Sequence, residues 1–314
     1  MPQNNKIDFT RKNNYNIVID TDAANETDDQ FALIYALMSP EIFNIQAIYA
    51  APFKHYRVFK ECEGMHNSFD EINKILEYFP DKKIPSFHGA ENFLADRNPI
   101  KNDVANDLIE RAKLHNPDNP LYVVCIASLT NLATALLLEP SITDRIVVLW
   151  LGGQLYDRSP VEFNLEQDFT AAQIVFESKI KMINFPCQGV CEKLTMSLEE
   201  ALKKLPCFGE IGEFLKHRFI RHHTWSFGES ASDEQVLSIW DFAPIAFLLN
   251  QNFCATRVMQ RPELLGNPTR WGACKNDMND IVCIDINRDA IFDDFYQRLT
   301  KYKTERNHRE LQNV

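Results

Sequence analysis

Apolar residues in this chain fall into two patterns. Some form short unbroken runs; others recur every three or four positions along longer polar stretches. The runs NIVID (16–20), NIQAIYA (44–50), IPSFHG (84–89), LYVVCIAS (121–128), RIVVLWLGG (145–153), KMINFP (181–186) and DIVCIDIN (280–287) are short and β-rich, and read as strands. Between them, DDQFALIYALMS (28–39), FDEINKILEYF (69–79), VANDLIERAKL (104–114), TNLATALLLE (130–139) and QDFTAAQIVFES (167–178) read as helices. In the second of these, Ile72, Ile75, Leu76 and Phe79 share one face, and Pro140 stops the fourth. Runs without apolar–polar alternation are buried on both faces, as in parallel sheets covered by helices. The pattern therefore predicts an α/β fold: a doubly wound, mainly parallel sheet flanked by helices.

Beyond residue 195 the pattern changes. LEEALKKL (198–205) and IGEFLKHRFIRHH (211–223) are helical, and TWSFGESASDE (224–234) is a polar loop. WDFAPIAFLLN (240–250) is an apolar helix with Pro244 in its first turn, and AIFDDFYQRLTK (290–301) a last helix. The expected organisation is one domain over 1–314. It has a polar N-terminal arm (1–15), a helical elaboration and candidate lid (195–235), and a polar C-terminal tail (302–314).

With 314 residues and 45% hydrophobic content the chain can bury a large core. Its net charge of −11 and its short basic pieces, KHYR and KYKTERNHR, argue against a nucleic-acid partner. None of the eight cysteines forms a CxxC pair, and Cys125 and Cys283 lie inside apolar runs. The start, MPQNNKIDFTRKNN, lacks the apolar core of a signal peptide, and no run approaches the ~20 residues of a membrane span. These features predict a soluble cytoplasmic protein with no membrane partner.

Ligands of doubly wound sheets bind beyond the carboxyl ends of the strands. Those ends are Asp20–Asp22, Ala50–Pro52, Ser128–Thr130, Gly152–Gln154 and Pro186–Gln188. The first carries an unusual load. In DTDAANETDD, the carboxylates Asp20, Asp22, Asp28 and Asp29 fall within ten residues, with Glu26 among them. Thr27 and Gln30 stand at capping-box spacing, which starts a helix at Asp28. A helix dipole favours each first-turn carboxylate by only ~0.3–1 kcal/mol. A hard divalent cation, calcium or magnesium, would offset the crowding far better. Consecutive helical residues point about 100° apart. One of Asp28 and Asp29 can then ligate while the other holds a water, which makes a hydrolytic centre.

This segment resembles the DxDxxxDDxxA motif of the inosine–uridine-preferring nucleoside hydrolases. Four more pieces follow in the family's order: SLTNLATAL (128–136) resembles PLTNLA, LGG (151–153) resembles MGG, VEFNLEQDFTAA (161–172) resembles EFNxxxDPEAA, and WDFAPIA (240–246) resembles HDPLAVA. The resemblance implies an α/β fold with a catalytic Ca2+, and hydrolysis of the N-glycosidic bond of a nucleoside or other N-riboside, as in purine and pyrimidine salvage. Asp22, Asp29, the Thr130 carbonyl and Asp241 would ligate calcium. Asp28 would be the general base, and Asp20 would support the ligands from behind. Glu162 and Asn164 would grip ribose hydroxyls, with Asp28 and Asp241 within reach. The resemblance also implies a homo-oligomer, a dimer or tetramer. Single displacement by water would invert the anomeric centre.

The chain departs from the pattern in several places. The spacer AANET is two residues longer than the motif's. Trp240 stands where many members have a His associated with protonating the leaving base; an indole N–H does not titrate, but a Trp, which purine-preferring members also carry there, could stack on the base. The expected ribose-contact Asn residues are missing from IYAAPFK and QLYDRSP. His222, His223 and Trp225, in or beside the polar loop, are candidates to close over the base or protonate it. Two rival readings follow. A binding protein could have kept the fold and metal; a haloacid-dehalogenase-type phosphatase would use Asp20 as nucleophile and Asp22 as acid.

Overall fold

The computed structural model describes residues 14–274 and 277–312. The seven runs read as strands all enter one sheet. β1 (Tyr15–Thr21) leads through α1 (Asp28–Leu37) to β2 (Phe43–Ala50), then through α2 (Glu61–Glu77) to β3 (Ser86–His88). α3 (Asp103–Lys113) returns the chain to β4 (Leu121–Cys125), and α4 (Thr130–Leu138) leads to β5 (Ile146–Leu151). α5 (Phe163–Gln167) and α6 (Phe169–Glu177) precede β6 (Lys181–Phe185). The elaboration comprises β7 (Thr195–Ser197), α7 (Leu198–Lys204), α8 (Glu210–Phe227) and β8 (Val236–Ser238), with β7 and β8 antiparallel. α9 (Phe242–Leu249), β9 (Cys254–Gln260), the pair β10 (Leu264–Leu265) and β11 (Arg270–Trp271), β12 (Asn279–Ile286) and α10 (Arg288–Gln312) complete it.

The eight strands of the main sheet run in the order β3-β2-β1-β4-β5-β6-β12-β9. All neighbours are parallel except the edge strand β9, which is antiparallel to β12. Successive residues feed opposite faces, as the pleat requires. Ile17, Ile19, Val124, Leu149 and Ile183 join one core; Val18, Val123, Val148, Trp150 and Met182 join the other. Both faces are therefore dry, which is why these strands read as continuous apolar runs. Among the described residues no helix is long and apolar enough to cross a membrane.

The structure corrects several sequence expectations. β9 was invisible in the pattern: as an edge strand its middle residues are exposed, and CATRVMQ carries no apolar run. α2 begins at Glu61, well before residue 69, because its first turns bury Gly64 and Met65; a Cβ on Gly64 would lie 2.1 Å from the Phe53 carbonyl oxygen. α8 continues through Phe227, into the stretch read as loop, and stops at Gly228 with φ 85°. The expected C-terminal tail is helical through Gln312; Tyr302 packs on Phe79 and Arg306 pairs with Glu210. Of the expected N-terminal arm, residues 1–13 lie outside the described residues, and Tyr15 is the buried first residue of β1.

Candidate active site

The chain runs outward from β1 to β2 and β3, then returns to β4 on the other side of β1. The connections leaving β1 and β4 therefore diverge at their carboxyl ends, which opens a crevice there. A cavity of about 290 Å³ occupies this place. Its floor comes from strand ends: Asp22 after β1, Ile126 after β4, Leu151 and Gln154 at β5, Cys187 and Gln188 after β6. Its walls come from the acidic turn (Asn25, Glu26, Asp28, Asp29), from Val161, Glu162, Phe163 and Asn164 around the start of α5, and from Trp240 and Asp241 before α9.

Five carboxylates here are almost wholly buried: Asp20, Asp22, Asp28, Asp29 and Asp241. Single oxygens of Asp28, Asp29 and Asp241 lie within 4.8 Å of one another. The sequence holds them in place. The Thr21 hydroxyl, between the two aspartates of DTD, donates to Asp29 Oδ1. Asn25, in the long spacer, donates to Asp22 Oδ2 at 3.0 Å. The main-chain N–H of Asp241 donates to Asp28. Burial pushes Asp22 up to about 8 and Asp20 to about 7. Burial, then repulsion from neighbouring carboxylates, Glu26 first for Asp28, Asp22 first for Asp29 and Asp28 first for Asp241, drives all three well above the ordinary carboxylate range. Such a group holds protons unless a cation replaces them. The donor set is all oxygen and closely spaced, which fits a hard divalent ion.

The structure brings together Asp22, Asp28, Asp29, Glu162, Asn164, Trp240 and Asp241 in one cavity. Asp20 stays behind it, accepting from Asn131 Nδ2 at 2.9 Å. That buried position gives no room for a nucleophile, against the phosphatase reading. Thr130 lies outside the lining: its hydroxyl donates to Asp168 at 2.8 Å, and its carbonyl accepts from Thr134 Oγ1 at 2.8 Å inside α4. Ile126 is the residue from that loop that reaches the cavity. Glu162 is saturated, accepting from the N–H groups of Gly153 (2.7 Å), Asn164 (2.9 Å) and Leu165 (3.2 Å) and from the Cys187 thiol. It thereby caps α5 and presents Asn164, whose Nδ2 donates to the Leu151 carbonyl at 3.1 Å.

His222 and His223 also lie outside the lining. His222 Nδ1 accepts from the Thr27 N–H at 3.3 Å, and burial with Arg57 nearby lowers its pKa to about 4. His223 is buried between Phe219 and Phe227 with Nε2 unpartnered. Trp225 packs under the guanidinium of Arg57 at 3.8 Å and near that of Arg221 at 4.1 Å. The expected capping box is absent as well. Thr27 has helical φ and ψ and makes no side-chain cap, while Gln30 Nε2 turns to the Ala23 carbonyl at 2.5 Å. Sequence reasoning passed over Asn25, Glu26, Ile126 and Cys187 as site residues. The first two lie in the long spacer and Cys187 at a flagged strand end, so position offered a signal that residue type did not.

Residues 17–293 match the family model described as inosine-uridine preferring nucleoside hydrolase. No individual curated protein sequence matches the chain. Among solved structures, a purine-preferring ribonucleoside hydrolase from Gardnerella vaginalis is 18% identical, with TM-score 0.70, covering 91% of this chain and 98% of its own. An inosine-guanosine nucleoside hydrolase is 16% identical (TM-score 0.70; 92% and 99%). The plant nucleoside hydrolase PpNRh1 is 17% identical (TM-score 0.67; 90% and 98%). These likenesses concern the fold.

Proposed function

Because the chain belongs to the inosine-uridine preferring nucleoside hydrolase family, we propose that this cavity binds a nucleoside or related N-riboside and hydrolyses its N-glycosidic bond. The observation that carries the reading is the buried Asp28–Asp29–Asp241 cluster at the switch point of the sheet. Asp22, Asp29 and Asp241 would hold calcium, with Ile126 in place of Thr130 as the neighbour from the loop after β4; an isoleucine can offer only its carbonyl. When bound, calcium supplies positive charge that neutralises the cluster and acidifies an adjacent water.

Asp28 takes the proton as water attacks the anomeric carbon. The C–N bond breaks as the C–O bond forms; the base leaves with the bonding pair on its nitrogen and takes a proton from solvent, to which Asp28 returns its own. The developing oxocarbenium charge is stabilised by the carboxylates on one face of the sugar. Asn164 offers its amide oxygen to ribose, and Glu162 acts by fixing the wall that presents it. Trp240 offers an apolar face to the base. Neither His222 nor His223 is assigned to base protonation, since both lie outside the cavity lining. The test is a nucleoside panel with free-base detection, with and without a chelator. Base release that chelator abolishes and calcium restores is expected. If calcium-loaded protein releases base from no nucleoside, the hydrolytic reading fails and the binding-protein alternative stands; release that chelator leaves untouched sinks the metal assignment.

A further inference from the structure

We propose that Glu26 reads the leaving base, selecting nucleosides whose base carries an exocyclic amino group; this rests on the nucleoside reading of the cavity given above. Glu26 differs from every other carboxylate there. Asp22 is tied to Asn25 and Asp29 to Thr21. Asp28 and Asp241 share the cluster with Asp29. Glu162 is saturated by four donors of the protein. The Glu26 side chain is 43% exposed and lines the cavity, and its closest ion-pair neighbour, His222 Nε2, lies 3.8 Å from Oε1, beyond hydrogen-bond reach.

The backbone beneath it is nonetheless fixed. Thr27 N–H donates to His222 Nδ1, Arg57 Nη2 donates to the Asn25 carbonyl at 3.2 Å, and Gln30 holds the Ala23 carbonyl. A carboxylate thus sits on an anchored turn and faces a space that a ligand would dry. Burying it without donors is costly. The cavity supplies few. Among the described residues no Lys or Arg lines it. The amide nitrogens of Asn25, Gln154 and Asn164 already donate to Asp22, the Val161 carbonyl and the Leu151 carbonyl, and the other side-chain donors of the lining, Gln188 and the Trp240 indole, make no hydrogen bond to Glu26. Arg57 acts on Glu26 through charge and spends an N–H on the Asn25 carbonyl, so a ligand that brings donors of its own gains a partner here. Ribose hydroxyls suit the aspartate cluster, which leaves the base to satisfy Glu26. An exocyclic amino group donates to it, whereas an oxo group in the same place is repelled.

Two substrate pairs isolate this chemistry: adenosine against inosine, and cytidine against uridine. At saturating calcium the wild type is expected to favour the amino member of at least one pair by ~10-fold or more in kcat/KM, as a charge-assisted hydrogen bond implies. E26A should bring that ratio close to one; the ratio and not the rate is the readout, because Glu26 also acts electrostatically on Asp28. E26Q, which adds an amide donor, should move it further toward the oxo member. Equilibrium binding of the same pairs to a calcium-loaded D28N protein, with and without E26A, reads the preference without turnover. A wild type indifferent within both pairs, or a preference that survives both Glu26 substitutions, overturns the assignment while leaving hydrolysis intact. Absent turnover with a Glu26-dependent binding preference does the reverse.

Discussion

Asp22, Asp28, Asp29 and Asp241 place more negative charge in a dry space than a folded chain holds without protons or a cation. The ordinary carboxylate value is 3.8, and Asp22 is held at about 8 and Asp20 at about 7. With folded values above unfolded ones, the folded state binds more protons in between. The stability this contributes is complete below about pH 4 and is lost as pH rises to about 8. Metal-free protein should therefore melt at progressively lower temperature from about pH 5 to about pH 8. Calcium must displace those protons, so the rise in Tm on adding it should widen over the same range. A calcium-induced rise that is flat or narrowing toward pH 8 would place the ion elsewhere. Asp28→Asn tests a different property of the same cluster. It should lower kcat by about 1,000-fold or more, an extent consistent with losing general-base catalysis, yet keep most of the calcium-induced rise in Tm. Full activity in this variant would remove Asp28 as the base.

At the scale of elements, α8 matters to the cavity only through the turn it props. His222 accepts the Thr27 N–H, which caps nothing else. Its pKa falls from 6.5 to about 4, so the unfolded chain takes up a proton first as pH drops. The stability from neutral His222 is present above about pH 6.5 and is lost as pH falls to about 4. His222→Ala should cost about 1–3 kcal/mol near neutral pH, the range for leaving a buried donor unpaired. The gap from wild type should close toward pH 4, and paired thermal melts across that range would reveal a constant gap if the account is wrong. The sequence exposed the acidic turn itself, because strand, carboxylates and helix follow one another locally. It did not expose what closes the turn: Thr27 and Gln30 matched a capping box, yet a histidine 195 positions away took the N–H. Thr130 fails for a related reason. Its motif is local, but whether a residue faces the cavity depends on where β4 stops, and β4 stops at Cys125. Edge strand β9 was illegible because exposure on both faces removes the apolar signal.

Across the whole molecule, the late strands are fastened to the sheet at the end away from the cavity. Arg261 and Asp280, each 0% exposed, pair through Nε and Nη2 at 2.6–3.0 Å. Arg261 also donates to the carbonyls of Ser178 (3.0 Å) and Ile180 (2.7 Å), just before β6, and Tyr156 donates to Asp280 at 2.5 Å. This network joins the end of β9, the start of β12 and the amino end of β6, whereas the cavity lies at carboxyl ends; Tyr156, from the loop after β5 that also carries Gln154, is its one member from a cavity-lining loop. Stability and catalysis should therefore separate. Arg261→Met leaves the Asp280 carboxylate buried beside two carbonyls that have lost their donors, which costs about 3–5 kcal/mol. The double variant Arg261→Met, Asp280→Leu removes the stranded charge and should be less destabilised than the single one. Urea midpoints would rank the three proteins, with little change in slope if the native fold is kept. The folded fraction of each should bind nucleoside with near-wild-type KM. A single variant as stable as the double would mean that Asp280 finds solvent or another partner, and a KM that rises with instability would mean that the two ends of the sheet are coupled.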